Sequence, residues 1–269
     1  AAGGGGGAET VSASDTDDGG DASAGRPTSA PLLVVGTAES KGQRPYMEDR
    51  VVYVGDAGAL PGNDGRLAGV PLFGVLDGHG GVRCVEFATR RIPEALAADG
   101  AYDVEASDGA AATALTRAFT RADVEFLAQA APGRWGDGTT ATCCALRGAT
   151  LDVANVGDSR AVLGRRREAP PRGAAAPPPR ARRERDCEAL RLSIDHKPNL
   201  ATEQRRIVLS GGAVKCVAGC WRVLRPGCNM MLAISRALGD FALKEHRPSD
   251  PDAPPHPAAI LAAAPAPAP

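Results

Sequence analysis

One apolar segment that runs into a cluster of glycines constrains this chain more than any other feature. Val70 to Leu76 is almost continuously apolar, and Asp77-Gly78-His79-Gly80-Gly81 follows it directly. A short apolar run bounded by turn residues predicts a buried strand. The glycines on both sides of His79 let the backbone come close to a ligand. We therefore expect a strand that delivers Asp77 at its end, on the rim of a binding site.

The residue types at this rim favour metal-assisted hydrolysis. Carboxylate and carbonyl oxygens are the ligands that Mg²⁺ and Mn²⁺ prefer. His79 is a poor ligand for Mg²⁺ but a good proton donor near neutral pH. An imidazole beside a metal-binding carboxylate suggests a water molecule activated by the metal. Asp77 alone would be better explained as a turn cap or a solvated side chain, so the interpretation depends on the combination of Asp77, Gly78 and His79.

Seven segments, in order along the chain, resemble the type 2C (PPM-type) metal-dependent serine/threonine protein phosphatases, most closely the plant and green-algal members. They are RPYMEDR at 44–50, FGVLDGHGG at 73–81, GTTA at 138–141, NVGDSRAV at 155–162, DHKPN at 195–199, GGAV at 211–214 and LAISRALGD at 232–240. The resemblance covers roughly residues 32 to 245. Seven segments in register are far more specific than the DGHGG motif alone.

This resemblance implies an α+β fold. The family is a four-layer α-β-β-α sandwich of two mainly antiparallel sheets, with two metals in a cleft at one end. Its activity is the hydrolysis of phosphoserine and phosphothreonine in proteins, with Mg²⁺ or Mn²⁺ as cofactor. The expected partners are therefore phosphoprotein substrates.

The resemblance also assigns the metal ligands, position by position. Asp77 would bridge the two metals, while Glu48 and the Gly78 carbonyl would complete the protein ligands of one of them. Asp49 would hold coordinated water. Asp158 would bind a weaker third metal.

Two further residues take catalytic roles by the same resemblance. Arg44 would bind the substrate phosphate, which its planar guanidinium suits. His79 would be the general acid that protonates the leaving serine or threonine oxygen. No phosphoenzyme is required, so none of the seven cysteines needs to be a nucleophile.

The family pattern is not complete in this sequence. After Asp240 the family continues with an Asp-Gly-x-Trp-Asp segment and an Asp-Asn pair, whereas here Asp250 and Asp252 stand in unmatched Pro/Ala-rich surroundings. The second metal site is therefore expected to be incomplete, with the C-terminal part of the fold missing. The chain would then be weakly stable and hydrolyse poorly. The alternative is an inactive pseudophosphatase that acts as an interaction module.

Composition divides the chain into three parts. Residues 1–30 carry almost no large apolar side chains and are predicted to be disordered. Residues 31–246 form the partial phosphatase domain, and 247–269 is a Pro/Ala-rich disordered tail. Within the domain, 165–189 reads as a flexible Arg/Pro/Ala insertion; a basic docking or nuclear-import segment is the alternative.

Local patterns predict the elements between these parts. Predicted strands cover 31–35, 50–54, 70–76, 139–146, 151–156, 160–163, 190–194 and 230–234, and predicted helices cover 82–96, 108–126 and 202–209. Pro93 should kink or restart the first helix, and Asp108 is the candidate cap of the second.

The remaining features exclude more than they assign. A net charge of −1 gives no reason to expect nucleic acid binding, and no apolar run reaches the ~20 residues of a membrane span. A monomer inside the cell, in the cytoplasm or nucleus, is the expectation.

Cys216, Cys220 and Cys228 leave open the alternative of a zinc-binding protein, although their spacing fits no common zinc pattern.

Overall fold

The structure is a computed structural model that describes residues 33–166 and 187–244. Of these described residues, 33–47 belong to one compact unit and those from Glu48 onward belong to another. The expected tails, 1–30 and 247–269, lie outside the described residues, as does most of the expected insertion.

The unit that begins at Glu48 contains the helices and strands. The strands are β1 (Asp49–Val54), β2 (Leu72–His79), β3 (Gly138–Thr139), β4 (Ala141–Arg147), β5 (Thr150–Val156), β6 (Val162–Arg166), β7 (Cys187–Arg191), β8 (Ala213–Val217), β9 (Cys220–Leu224) and β10 (Leu238–Gly239). The helices are α1 (Arg83–Ala97), α2 (Asp108–Gly133), α3 (Ala201–Leu209) and α4 (Phe241–Lys244). Among the described residues, no helix is both long enough and apolar enough to span a membrane.

Six strands form one antiparallel sheet. Its order is β10-β3-β2-β4-β5, and β1 also pairs with β2. The other strands of the described chain form two hairpins, β6–β7 and β8–β9. The α+β class with antiparallel sheets is thus confirmed.

The core lies between this sheet and helices α1 and α2. Alternate residues of β2 point toward the helices, so that Leu72 and Leu76 are buried while Val75 and Asp77 face the other way. The helices bring an apolar stripe to the sheet that includes Val85, Ile92, Phe119 and Phe126. Burying each of the larger side chains contributes roughly 1.5–3 kcal/mol. This packing fixes β2, which carries the glycine-rich motif.

Two sequence expectations about α1 and β2 need correction. Strand β2 does not end at Asp77 but continues to His79, because β3 pairs with Gly78 and His79. Helix α1 runs through Pro93 without a break. Pro93 is buried, and we attribute the continuous helix to this packing, which offsets a cost of about 3 kcal/mol for an interior proline.

Other boundaries also differ from expectation. The cap of α2 is Ser107, whose hydroxyl accepts from the Ala110 N–H, and Asp108 is already helical. The expected strand at 230–234 is reduced to a single bridge between Leu232 and Val223. Residues at both edges of the expected insertion lie in strands, because β6 and β7 pair as an antiparallel hairpin.

The zinc interpretation finds no support in the β8–β9 hairpin. Its register pairs Cys216 with Trp221 and Val217 with Cys220. Since neighbouring residues of a strand point to opposite faces, Cys216 and Cys220 do so too. They cannot converge on one ion.

Candidate functional site

Asp77 is fixed by its neighbour across the sheet, Thr140. The Thr140 N–H donates to the Asp77 carbonyl at 2.9 Å, and the Asp77 N–H donates to the Thr140 hydroxyl oxygen at 3.0 Å. The Thr140 side chain is buried, and its hydroxyl also lies 2.7 Å from that of Ser159. Thr140 therefore locks the backbone that carries the central carboxylate, a role that the sequence did not reveal.

The carboxylates of Asp49, Asp77 and Asp158 repel one another at this site. Asp49 is the direct cross-strand partner of Asp77. The pKa of Asp77 is raised, first by its partial burial and then by the negative charges of Asp49 and Asp158. Such mutual repulsion is what a bound cation would relieve.

Glu48 and Gly78 lie against each other beside this group. A Cβ atom on Gly78 would stand 2.5 Å from the Glu48 carbonyl oxygen and 3.1 Å from Val85. The Glu48 carboxylate accepts a hydrogen bond from the Gly81 N–H at 2.8 Å. The glycines of the motif thus let Glu48 approach the backbone of the site.

Asp158 is held by a cation of the chain itself. Lys197 donates a hydrogen bond to its carboxylate, and the side chains of Lys197 and Asp158 are 40% and 25% exposed. The preceding residue, Gly157, donates its N–H to Nδ1 of His196 at 3.1 Å. The sequence-predicted ligand for a third metal is therefore already ion-paired, by a lysine to which the sequence assigned no role.

His79 has an acidic partner that the sequence did not assign. Its Nε2 atom lies 2.9 Å and 3.1 Å from the two carboxylate oxygens of Asp240. Burial alone would lower the pKa of His79, but the hydrogen bond and charge of Asp240, with smaller contributions from Asp77 and Glu48, raise it above its usual value. The protonated imidazole is therefore stabilised at this site.

Arg44 belongs to the other unit, in which its backbone N–H donates to the Lys41 carbonyl at 3.1 Å. Its assignment to the substrate phosphate stays a prediction. In the unit from Glu48 onward, the structure brings together Asp49, Asp77 and Asp158 as an acidic group.

The donor chemistry of this group fits a hard divalent cation. Its donors are carboxylates next to a backbone carbonyl, and their repulsion needs positive charge. Among the described residues, however, no group of three or more His, Cys, Asp and Glu side chains is close enough to hold a metal by itself. Water would have to complete the coordination shell, as is common for Mg²⁺.

Sequence comparison gives a consistent result. Residues 34–266 match the family profile described as Protein phosphatase 2C. "Probable protein phosphatase 2C 69" of Arabidopsis thaliana is 35% identical over 217 residues, which are 81% of this chain and 51% of that protein. "Probable protein phosphatase 2C 59" of Oryza sativa subsp. japonica is 37% identical over 81% of this chain and 55% of that protein. The chain thus spans about half the length of these curated relatives.

Structural comparison supports the same fold. The serine-threonine phosphatase 2C from Toxoplasma gondii matches with a TM-score of 0.58 at 23% identity, over 76% of this chain and 66% of that one. A C. elegans sex-determining protein matches with a TM-score of 0.55 at 23% identity, over 81% of this chain and 45% of that one. At this identity, the likeness concerns the fold alone.

Proposed function

This chain belongs to the protein phosphatase 2C family, and from that premise we propose that it hydrolyses phosphoserine and phosphothreonine in proteins with the help of Mg²⁺ or Mn²⁺. The observation that carries the proposal is the placement of Asp49 opposite Asp77, with His79 two residues further along β2. Alternate strand residues share a face, so the imidazole and the central carboxylate are presented on the same side of the sheet.

Asp77, Glu48 and the Gly78 carbonyl are the residues that would hold the cation, with Asp49 binding its water. When bound, the cation supplies positive charge that neutralises the phosphate and activates water for attack. Besides partial burial, the negative charges of Asp49 and Asp158 raise the pKa of Asp77, and these charges support this assignment, because carboxylates that repel one another bind a cation readily. Asp158 is proposed for a weaker additional ion, in competition with Lys197.

His79 is proposed as the general acid. Its raised pKa keeps the ring protonated at higher pH than a free imidazole, as proton donation requires. The leaving serine or threonine alkoxide is a poor leaving group, so a proton supplied as the P–O bond breaks lowers the barrier. Arg44 is proposed to bind the phosphate oxygens through its planar guanidinium.

A second candidate is a binding module without turnover. The absence of a converging group of three potential metal ligands in the described residues favours it, as does the pairing of Asp158 with Lys197. Such a module would bind phosphoproteins without releasing phosphate.

Phosphate release from a phosphothreonine peptide tests the proposal. The purified chain is assayed with Mn²⁺, with Mg²⁺ and with EDTA, beside the variants Asp77→Asn and His79→Gln. We expect release that depends on the metal and falls by at least about 100-fold in either variant.

The matched control is Asp99→Asn. Asp99 is paired with Arg117 at 2.7 Å, beyond the C-terminal end of α1 and away from the acidic group. Its phosphate release should equal that of the wild type, and circular dichroism should show that all variants are folded. A folded wild-type chain that binds the peptide without releasing phosphate would instead support the binding module.

A further inference from the structure

The contact between His79 and Asp240 is built by three strands in register. His79 on β2 is paired with Gly138 on β3, and Gly138 is paired with Gly239 on β10. A Cβ atom on Gly138 would stand 2.6 Å from the Asp240 carboxylate. The bare glycine in the middle strand therefore leaves the space through which the imidazole and the carboxylate meet.

The turn that presents Asp240 is held firmly in place. Asp240 has a positive φ of 55° and Gly239 one of 77°, and an aspartate tolerates this left-handed conformation better than most residues. The Asp240 N–H donates to the Asp137 carbonyl at 3.0 Å. The Gly239 N–H donates to the Asp123 carboxylate at 2.8 Å, which α2 carries.

Lys244 adds a further brace to this turn. Its ammonium group donates to the Asp123 carboxylate at 2.8 Å and to the Ala237 carbonyl at 2.8 Å. The Asp240 side chain is only 2% exposed, whereas that of His79 is 27% exposed. A buried carboxylate on a braced turn thus faces one edge of an imidazole that is still open to solvent.

We propose that Asp240 is a positioning residue: it binds Nε2–H of His79, fixes the ring orientation, and leaves Nδ1 as the nitrogen that exchanges protons with the substrate. A carboxylate only accepts hydrogen bonds, so Nε2 must carry a hydrogen to satisfy the 2.9 Å contact. The tautomer follows from this geometry alone, while the proton transfer rests on the proposed function.

The proposed step is balanced in protons and electrons. The P–O bond to the serine or threonine breaks with its electron pair on the leaving oxygen, which takes the proton from Nδ1. Water forms the new P–O bond. The proton that water loses passes to solvent, and solvent returns one to Nδ1. Nε2 keeps its hydrogen on Asp240 throughout.

Nitrogen NMR of the histidine rings tests the tautomer without any need for activity. The chain has four histidines, so uniform ¹⁵N-histidine labelling gives few signals, and His79→Gln assigns the ring of interest. At a pH where His79 is neutral, the wild type should show protonated Nε2 and bare Nδ1. A wild-type ring with its hydrogen on Nδ1 would overturn the proposal with no variant needed.

The variant Asp240→Asn should change this signal. Its amide can accept from one ring nitrogen or donate to it, so we expect a mixture of tautomers. Asp99→Asn, the matched substitution at the far end of α1, should leave the His79 signal unchanged. An unaltered Nε2–H tautomer in a folded Asp240→Asn chain would contradict the proposed role.

A comparison of leaving groups separates positioning from a purely structural role. On a phosphothreonine peptide, Asp240→Asn should lower kcat by about 10-fold to 100-fold with little change in KM. On p-nitrophenyl phosphate, whose leaving group needs little protonation, the loss should be small. In a His79→Gln background, Asp240→Asn should cost nothing further.

Equal losses on both substrates would show that Asp240 only supports the fold. No turnover by the wild-type chain would count against the proposed function, while the NMR result would still decide whether Asp240 sets the tautomer.

Discussion

Asp49 and Asp77 face each other across the β1–β2 pair, at the only position of that pair where both strands carry a carboxylate. Directly opposed residues have Cβ atoms about 4.5–5.5 Å apart, and like charges at this spacing destabilise a sheet. Partial burial and then the negative charge of Asp49 raise the pKa of Asp77. The pair thus costs stability in the metal-free protein.

Replacement of Asp77 by Asn should therefore separate stability from metal binding. Without metal, we expect Asp77→Asn to unfold at a higher urea concentration than the wild type. Its free energy of unfolding should rise by up to about 1 kcal/mol, because the repulsion between Asp49 and Asp77 is removed. Saturating Mn²⁺ at about 100 times its Kd should stabilise the wild type by roughly 3 kcal/mol and the variant hardly at all. Equal stabilisation of both proteins by Mn²⁺ would place the ion elsewhere.

Gly78, the first glycine of the Asp77-to-Gly81 motif, should not tolerate even one methyl group. In Gly78→Ala, the new Cβ would meet the Glu48 carbonyl at 2.5 Å, a backbone atom that cannot easily move because β1 begins at the next residue. We expect a loss of about 1–3 kcal/mol in urea unfolding. The control is Gly109→Ala, where a new Cβ would meet nothing within 4 Å besides its chain neighbours and the nearby backbone of its own helix; it should be neutral or stabilising by up to about 1 kcal/mol. A neutral Gly78→Ala would show that the Glu48 carbonyl does not lie so close to β2.

Loss of the ion pair at Asp158 should strengthen metal binding. Lys197→Met removes the cation that neutralises this carboxylate, so more negative charge remains beside Asp77. Isothermal titration calorimetry should then show tighter Mn²⁺ binding or an additional weak site. The double variant Lys197→Met with Asp158→Asn should lose that gain. A gain that survives in the double variant would mean that Asp158 is not a ligand.

Glu203 should make the folded state sensitive to acid. Its carboxylate is buried, and it accepts from Arg236 at 2.5 Å and from Ser235 at 2.8 Å. Burial raises its pKa, but these donors and Arg206 outweigh burial and lower it from 4.5 to about 2.

A carboxyl group whose pKa is lower in the folded than in the unfolded chain stabilises the folded state at any pH above its unfolded pKa. This stabilisation is lost as the pH falls toward its folded pKa. The free energy of unfolding of the wild type should therefore exceed that of Glu203→Gln by roughly 1–3 kcal/mol at pH 7. The difference should shrink between about pH 4.5 and pH 2. Thermal unfolding of both proteins across this range measures it, and a constant difference would refute the assigned cause.

Local sequence patterns predicted most elements of the large sheet and its helices. The predicted strand at 70–76 was confirmed from Leu72 onward, but the expectation that it is buried throughout was wrong, because Val75 points away from the helices and is exposed. Patterns failed where packing overrides local preference. Pro93 lies inside a continuous helix, and 230–234 forms only a bridge, since neither outcome is encoded within a few residues.

The sequence by itself determined the family and the candidate ligands, because both can be identified from the residue types and the order of short motifs along the chain. Only the tertiary structure decided their partners: Asp240 for His79, 161 residues away along the chain, Thr140 for Asp77 and Lys197 for Asp158. The physical reason is that such contacts depend on strand register and turn conformation. Both are set by the packing of distant segments, which no local pattern specifies.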